Sequence, residues 1–340
     1  MNNTNVSVDI EWGWVPFTWT WWVIVQLAFS IIGIVGNILV IAVIIRRSHA
    51  QFATDVLIGN LAVSDFFTSL WMIPRPQMDS VPSNWKGMLY CRIEYSNSLM
   101  WISAVASVFI LTVISVERLV AVKHPLKFKL IFTVKRSLRL VGLSWLGAAI
   151  LNVYTLAIST YDDESHVCRT ESIGYEVQMA AGVLLFMFKY LIPIVIMISS
   201  HLAIIRALRA QARSFQTDGR TVNQPIQQIS LTMRRMTRTV LIVVIFFIVC
   251  WSPDQICFLL FNLELLPSYM YSDHYRVFVC LAFVNSCSNP FIYSVRNKKF
   301  RNELLDLFCL SPSKRKGLAP VFYTLVKSRY IKTISGKDPV

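Results

Sequence analysis

The chain has 340 residues, 55% of them apolar and 15% charged, and the apolar residues fall in blocks about as long as a bilayer is thick. The net charge of +14 comes from basic residues set between and after those blocks, which form no continuous basic surface, so a nucleic-acid partner is not expected. Seven cysteines stand singly with no Cys-x-x-Cys pair, which argues against a zinc ribbon or a thioredoxin-like motif.

In chain order, the first 19 residues are polar and hold Asp9 and Glu11. Asn2-Asn3-Thr4 and Asn5-Val6-Ser7 both fit the N-glycosylation acceptor pattern, so Asn2 and Asn5 are candidate sites. The segment lacks the basic region, apolar core and cleavage site of a signal peptide. Apolar stretches follow at 20–45, 54–73, 92–122, 137–158, 179–205, 239–261 and 275–295, each long enough to cross a bilayer as a helix. The first is expected to act as an uncleaved signal anchor.

Arg46 and Arg47 after the first stretch place its amino end outside by the positive-inside rule. Later loops agree. Lys123, Lys127, Lys129, Lys135 and Arg136 fall between the third and fourth stretches, and Arg206, Arg209, Arg213, Arg220, Arg234, Arg235 and Arg238 between the fifth and sixth. The alternate loops hold Asp79, Asp162, Asp163, Glu164, Glu171, Glu264 and Asp273. Beyond the seventh stretch, 297–309 sets Phe300, Leu304, Leu305, Leu307 and Phe308 opposite Lys298, Lys299 and Arg301, as in a helix lying on the inner leaflet. Cys309 at its end is a candidate lipidation site, and 310–340 reads as a flexible tail. The expected fold is an all-α membrane protein, a seven-transmembrane helix bundle over 20–296 with an amphipathic cytoplasmic helix.

Polar groups kept inside a bilayer are costly and therefore informative. Asn37, Asp65, Ser107, Asn285 and Asn289 lie in four different spans, and Asn285 and Asn289, four apart, share a helix face. If these converge, Asp65, Ser107, Asn285 and Asn289 form a hydrated centre able to hold a small cation. Any one of them alone is equally well read as interhelical glue.

Gly36-Asn37, Leu61-Ala62-Val63-Ser64-Asp65, Trp85 and Cys91, Glu117-Arg118, Trp145, Pro193, Cys250-Trp251-Ser252-Pro253 and Asn289-Pro290-Phe291-Ile292-Tyr293 follow one another on the seven spans. In that order they resemble the rhodopsin-like (class A) G-protein-coupled receptors of the plasma membrane. The resemblance implies an extracellular ligand, a heterotrimeric G protein and arrestin as partners besides membrane lipid, no enzymatic activity, and no cofactor beyond a sodium ion at Asp65. It implies a disulfide between Cys91 and Cys168. Glu117, Arg118 and Leu126 become the G-protein-coupling residues, with the arginine held by its acidic neighbour at rest. Phe247, Trp251, Pro253, Asn289, Pro290 and Tyr293 become the activation switch, two prolines opening the helix ladder. Met100, Trp101, Lys189, Asp254 and Gln255 become the ligand pocket.

Four features depart from the family pattern. Leu119 follows the arginine where an aromatic is usual, and His201 stands eight residues after Pro193 where a tyrosine is usual. Span six opens with Met233, Arg234 and Arg235 and offers no acid to lock the arginine, so resting constraint is expected to be weak. Cys91 precedes Arg118 by 27 residues (118 − 91), about two more than usual, which predicts an irregular outer end of span three.

Asn97-Ser98-Leu99-Met100-Trp101-Ile102 holds no acid to pair with a biogenic amine, and 276–293 holds no lysine for retinal. A peptide is the expected ligand, the motifs being similar to those of galanin, somatostatin and allatostatin receptors; a small non-amine ligand is the alternative. A seven-span transporter would also carry intramembrane acids, but no half-chain repeat is present. A membrane enzyme using His201 or Asp65 is disfavoured by the lack of any metal-spaced or Ser-His-Asp set. Lys189 and Asp254 flank Pro193 and Pro253 at similar depth, which predicts an ion pair that is either opened by ligand or purely structural.

Overall fold

A computed structural model of the chain describes residues 12–46, 53–171, 173–217 and 224–308, with the side chains of 212–236, Tyr271 and Lys299 left aside. Asn2, Asn5, Cys309 and the tail over 310–340 lie outside the described residues. The elements are β1 (Gly13–Trp14), α1 (Trp21–Arg46), α2 (Ala53–Trp71), β2 (Met78–Ser80), α3 (Trp85–Tyr90), α4 (Ser98–Lys123), α5 (Pro125–Ile131), α6 (Val134–Ile158), β3 (Ser159–Tyr161), β4 (Cys168–Thr170), α7 (Tyr175–Phe186), α8 (Ile192–Thr217), α9 (Gln224–Asn262), α10 (Asp273–Arg296) and α11 (Lys298–Leu307). One π-helical turn, Cys91–Tyr95, follows α3, and another, Met187–Leu191, joins α7 to α8.

All seven expected spans are present, with α3 and α4 forming the third and α7 and α8 the fifth. Six of them are long and apolar enough to cross a membrane on composition alone. The second, α2, falls short because Asp55, Asn60, Ser64, Asp65, Thr68 and Ser69 lower its mean hydropathy. Outward faces are apolar instead: α1 exposes Ile24, Ile31, Val35 and Ile38 while burying Ser30 and Asn37. Lipid is as apolar as leucine, so such a bundle is held by polar contacts and close packing more than by hydrophobic burial.

Local chemistry sets the ends. The Asn84 side chain accepts from the amides of Lys86 and Gly87 at the start of α3, and Thr133, Ser272 and Asn297 do the same for Arg136, Tyr275 and Phe300 at the starts of α6, α10 and α11. Pro125 opens α5, where a missing N–H costs nothing. The sixth span is longer than its apolar stretch, since α9 begins at Gln224 rather than at 239. A hydropathy pattern ends where the bilayer ends, whereas a helix continues into water on its own hydrogen bonds.

Packing places α4 at the centre, against α2, α6, α8 and α9, while α1 lies against α2 and α10. A Cβ on Gly36 would come within 2.9 Å of the Pro290 ring, so the small residue lets α1 approach the kinked part of α10. The expected irregularity of span three is real. Its surplus is taken up by the π-helical turn at Cys91–Tyr95 and by Asn97, left-handed at φ 53°, before α4 restarts at Ser98.

Two small antiparallel sheets cover the outer end. In one, β1 pairs with β2, tying the amino-terminal segment to the first outer loop; in the other, β3 pairs with β4 in the second outer loop. Cys91 and Cys168 are disulfide-bonded, fastening β4 to the head of span three. Ser165 donates to Asp162 at 2.6 Å, and this hydroxyl, with Arg169 beyond it at 3.4 Å, holds the Asp162 carboxyl below the usual carboxylate range. Removing either half of the disulfide, by Cys91→Ser or Cys168→Ser, is expected to cost about 3 kcal/mol. Thermal melts of purified protein should show the double variant no worse than either single one, and additive losses would mean that the two sulfurs are not partners.

Candidate functional site

Three polar or aromatic clusters run along the axis of the bundle. The middle one is built on Asp65, fully buried on α2. Ser107 of α4 donates to its Oδ1 at 2.7 Å and Asn289 of α10 to its Oδ2 at 2.7 Å. The Oδ1 atoms of Asn285 and Asn289 are buried without a hydrogen-bond donor. Asn37 lies apart from the carboxylate and donates instead to the Gly33 and Ser286 carbonyls at 2.9 and 3.0 Å, closing α1 onto α10. A carboxylate, a hydroxyl and two orphaned carbonyl oxygens are hard oxygen ligands that suit a small monovalent cation.

At the cytoplasmic end, Glu117 is fully buried and accepts from both Nε and Nη2 of Arg118. Thr54 of α2 completes the cluster, donating to Glu117 at 2.6 Å while its hydroxyl oxygen accepts from Arg118. These contacts hold the arginine to α2 as well as within α4. Leu126, on α5 beside this cluster in sequence, is 92% exposed. His201 is buried on α8, and its Nε2 has no hydrogen-bond partner among the described residues.

Between the polar centre and the outer end lies an aromatic column. Phe247 and Trp251 are 5.8 Å apart on α9, Tyr190 is 6.4 Å from Phe247, and Trp101 reaches Trp251 at 6.5 Å. Tyr190 and Ser252 share a hydrogen bond across α8 and α9. Pro253 and Pro290 lie inside α9 and α10, next to Trp251 and Asn289 respectively. Tyr293 is buried against Phe300 of α11 at 6.1 Å. Met100 is buried at the top of the column against Phe283 and Trp71.

The expected Lys189–Asp254 pair does not form. Lys189 Nζ donates to Asn152 Oδ1 of α6 at 2.8 Å, while Asp254 accepts from Gln255 Nε2 at 2.9 Å and Tyr269 OH at 3.0 Å. The π-helical turn at Met187–Leu191 carries Lys189, and spacing counted from the prolines takes no account of a turn that adds a residue. Asn152, a buried amide within a span, obeys the same rule that singles out Asp65. Thr54 and Tyr269 carry no such signal, since one sits at a span edge and the other in a loop. Asn152→Leu should leave the Lys189 ammonium without its acceptor and cost about 2 kcal/mol. Most of that loss should return in the double variant with Lys189→Met, measured as melting temperature in detergent.

The family model described as 7 transmembrane receptor (rhodopsin family) matches residues 36–293. The chain is similar to an alpha-1A adrenergic receptor of Oryzias latipes, 28% identical over 84% of this chain and 67% of the relative. It is similar also to neuropeptide FF receptor 2 of Mus musculus, 29% identical over 85% and 73%, and to somatostatin receptor type 4 of Rattus norvegicus, 30% identical over 82% and 70%. A buried arginine lock at one end, a loop-covered aromatic column at the other and a carboxylate between them thus belong to a chain of the rhodopsin family of seven-transmembrane receptors, a G-protein-coupled receptor of the plasma membrane and not an enzyme.

Proposed function

We propose that this receptor takes an extracellular peptide and passes its signal to a heterotrimeric G protein at Arg118. The observation that carries the peptide reading is Met100, buried where span three of an amine receptor would present its aspartate. The relatives bear the names of an adrenergic, a neuropeptide FF and a somatostatin receptor, so overall identity does not choose the ligand, and the pocket residue supports the peptide over the amine. Strands tied to the loops at the outer end supply backbone and aromatic surface of the kind that peptides meet.

The two ends communicate through elements with two arrangements. Trp101 and Trp251 link span three to span six two residues before Pro253. A ligand that shifts this contact biases the α9 bend, and with it access to the Glu117–Arg118–Thr54 cluster. Arrestin would meet the same cytoplasmic face. Asp65, Ser107, Asn285 and Asn289 would hold a sodium ion, whose charge would favour the arrangement in which these four residues converge.

A screen of amidated peptides, read as calcium or cyclic AMP in transfected cells, tests the ligand. Activation by a monoamine and by no peptide would overturn the reading. Arg118→Ala should keep ligand binding while cutting G-protein activation at least about tenfold. Thr54→Val removes the contact that replaces an acid on span six, and basal signalling should rise, with Thr54→Ser restoring the parent level. Sodium should lower agonist affinity, and Asp65→Asn should remove that dependence; a sodium effect unchanged in the variant would place the ion elsewhere.

A further inference from the structure

Asp254 is a buried acid that neither the arginine lock nor the polar centre employs. It follows Pro253 on α9 and is 3% exposed. Among the described residues no cation lies against it: its partners are the Gln255 amide at 2.9 Å and the Tyr269 hydroxyl at 3.0 Å, while Lys189 is bound to Asn152. A carboxylate has about four lone-pair sites, and here two are filled by neutral donors. Burying a charge without a counter-charge is expensive, and an acid kept at that cost within a span marks a function.

Tyr269 comes from the short turn Tyr269–Tyr271 in the outer loop between α9 and α10, so its hydroxyl reaches Asp254 from the extracellular side. Its ring meets Tyr275 edge-on at 5.5 Å and Phe278 at 6.4 Å. A carboxylate beside several aromatic faces is the chemistry that recognises ammonium and guanidinium groups. Asp162, Asp163, Glu164, Glu264 and Asp273 in the surrounding loops would draw a cation toward the same end. A purely structural latch, pinning the loop to span six, would use the same two hydrogen bonds but would need no charge, because a neutral amide oxygen also accepts from a phenol, if more weakly, without the cost of burying an ion.

We propose that Asp254 is the counter-ion for a cationic group of the ligand, an ammonium or a guanidinium, and that the Tyr269 hydroxyl caps it until that group displaces it. The carboxylate that an amine receptor carries on span three is thereby replaced by one on span six. The proposal rests on the peptide-receptor reading for what carries the cation, but it can be tested without the native ligand.

The test uses the purified full-length receptor in detergent with arginine amide as probe and its uncharged counterpart citrulline amide as control, read as the rise in melting temperature with concentration. Arginine amide should stabilise the parent protein and citrulline amide should not. Asp254→Asn should abolish the arginine amide response, and Tyr269→Phe, which removes the competing donor, should tighten it by about tenfold. Equal responses to the two amides, a response that survives Asp254→Asn, or a weaker response in Tyr269→Phe would each overturn the proposal. If Asp254→Asn does not fold, Tyr269→Phe and the amide pair decide alone. A peptide screen that succeeds while these measurements fail removes the cation subsite and leaves the peptide receptor standing; a failed screen with a charge-dependent arginine amide response does the reverse.

Discussion

The constraint on which this structure depends is that a polar group within a bilayer finds its partner on another helix or finds none. Asp65 is the clearest instance. Its two oxygens are bound by hydroxyl and amide donors from α4 and α10, so one side chain fixes three helices relative to one another. Asn37 performs a similar task for α1, spending its amide on a carbonyl of α10. With outward faces that are apolar and indifferent to their neighbours, these contacts and the close approach at Gly36 decide how the spans are arranged.

The same constraint explains the arginine lock. Glu117 and Arg118 are adjacent in sequence and buried, so their pair is made within one helix and needs no tertiary structure to exist. Thr54 changes its meaning. By bonding both members it converts a pair local to α4 into a contact between α2 and α4. Weak restraint is the natural expectation from the missing acid, and Thr54, a hydroxyl on a different helix, adds a contact that this expectation did not include.

Toward the extracellular side the design differs. Within the outer half of the bundle Lys189 and Asp254 are separated rather than paired: Lys189 turns to span four and Asp254 to the outer loop. An ion pair between them would have closed α8 onto α9. Separate neutral partners instead leave each charge with unused hydrogen-bonding capacity, which suits a surface that exchanges partners more than one that only holds helices together. Tyr190 and Ser252 hydrogen-bond across these two spans.

Much of this was legible in the chain itself, for physical reasons that can be named. Apolar stretches matched to bilayer thickness, and basic residues concentrated in alternate loops, determine seven spans and their orientation before any contact is known. The 27-residue interval from Cys91 to Arg118 (118 − 91) foretold the irregular outer end of span three, because surplus residues must leave the regular ladder somewhere. Rare intramembrane polar residues announced Asp65, Ser107 and Asn289 as a set. Only the tertiary structure decided which partners the remaining polar groups take. Depth along a helix can be counted from a proline, but the direction of a side chain depends on π-helical turns that hydropathy does not register, so Lys189 met Asn152 and not Asp254. Tyr269 could not be foreseen at all, since a loop residue reaches a buried carboxylate only through the path of the folded chain.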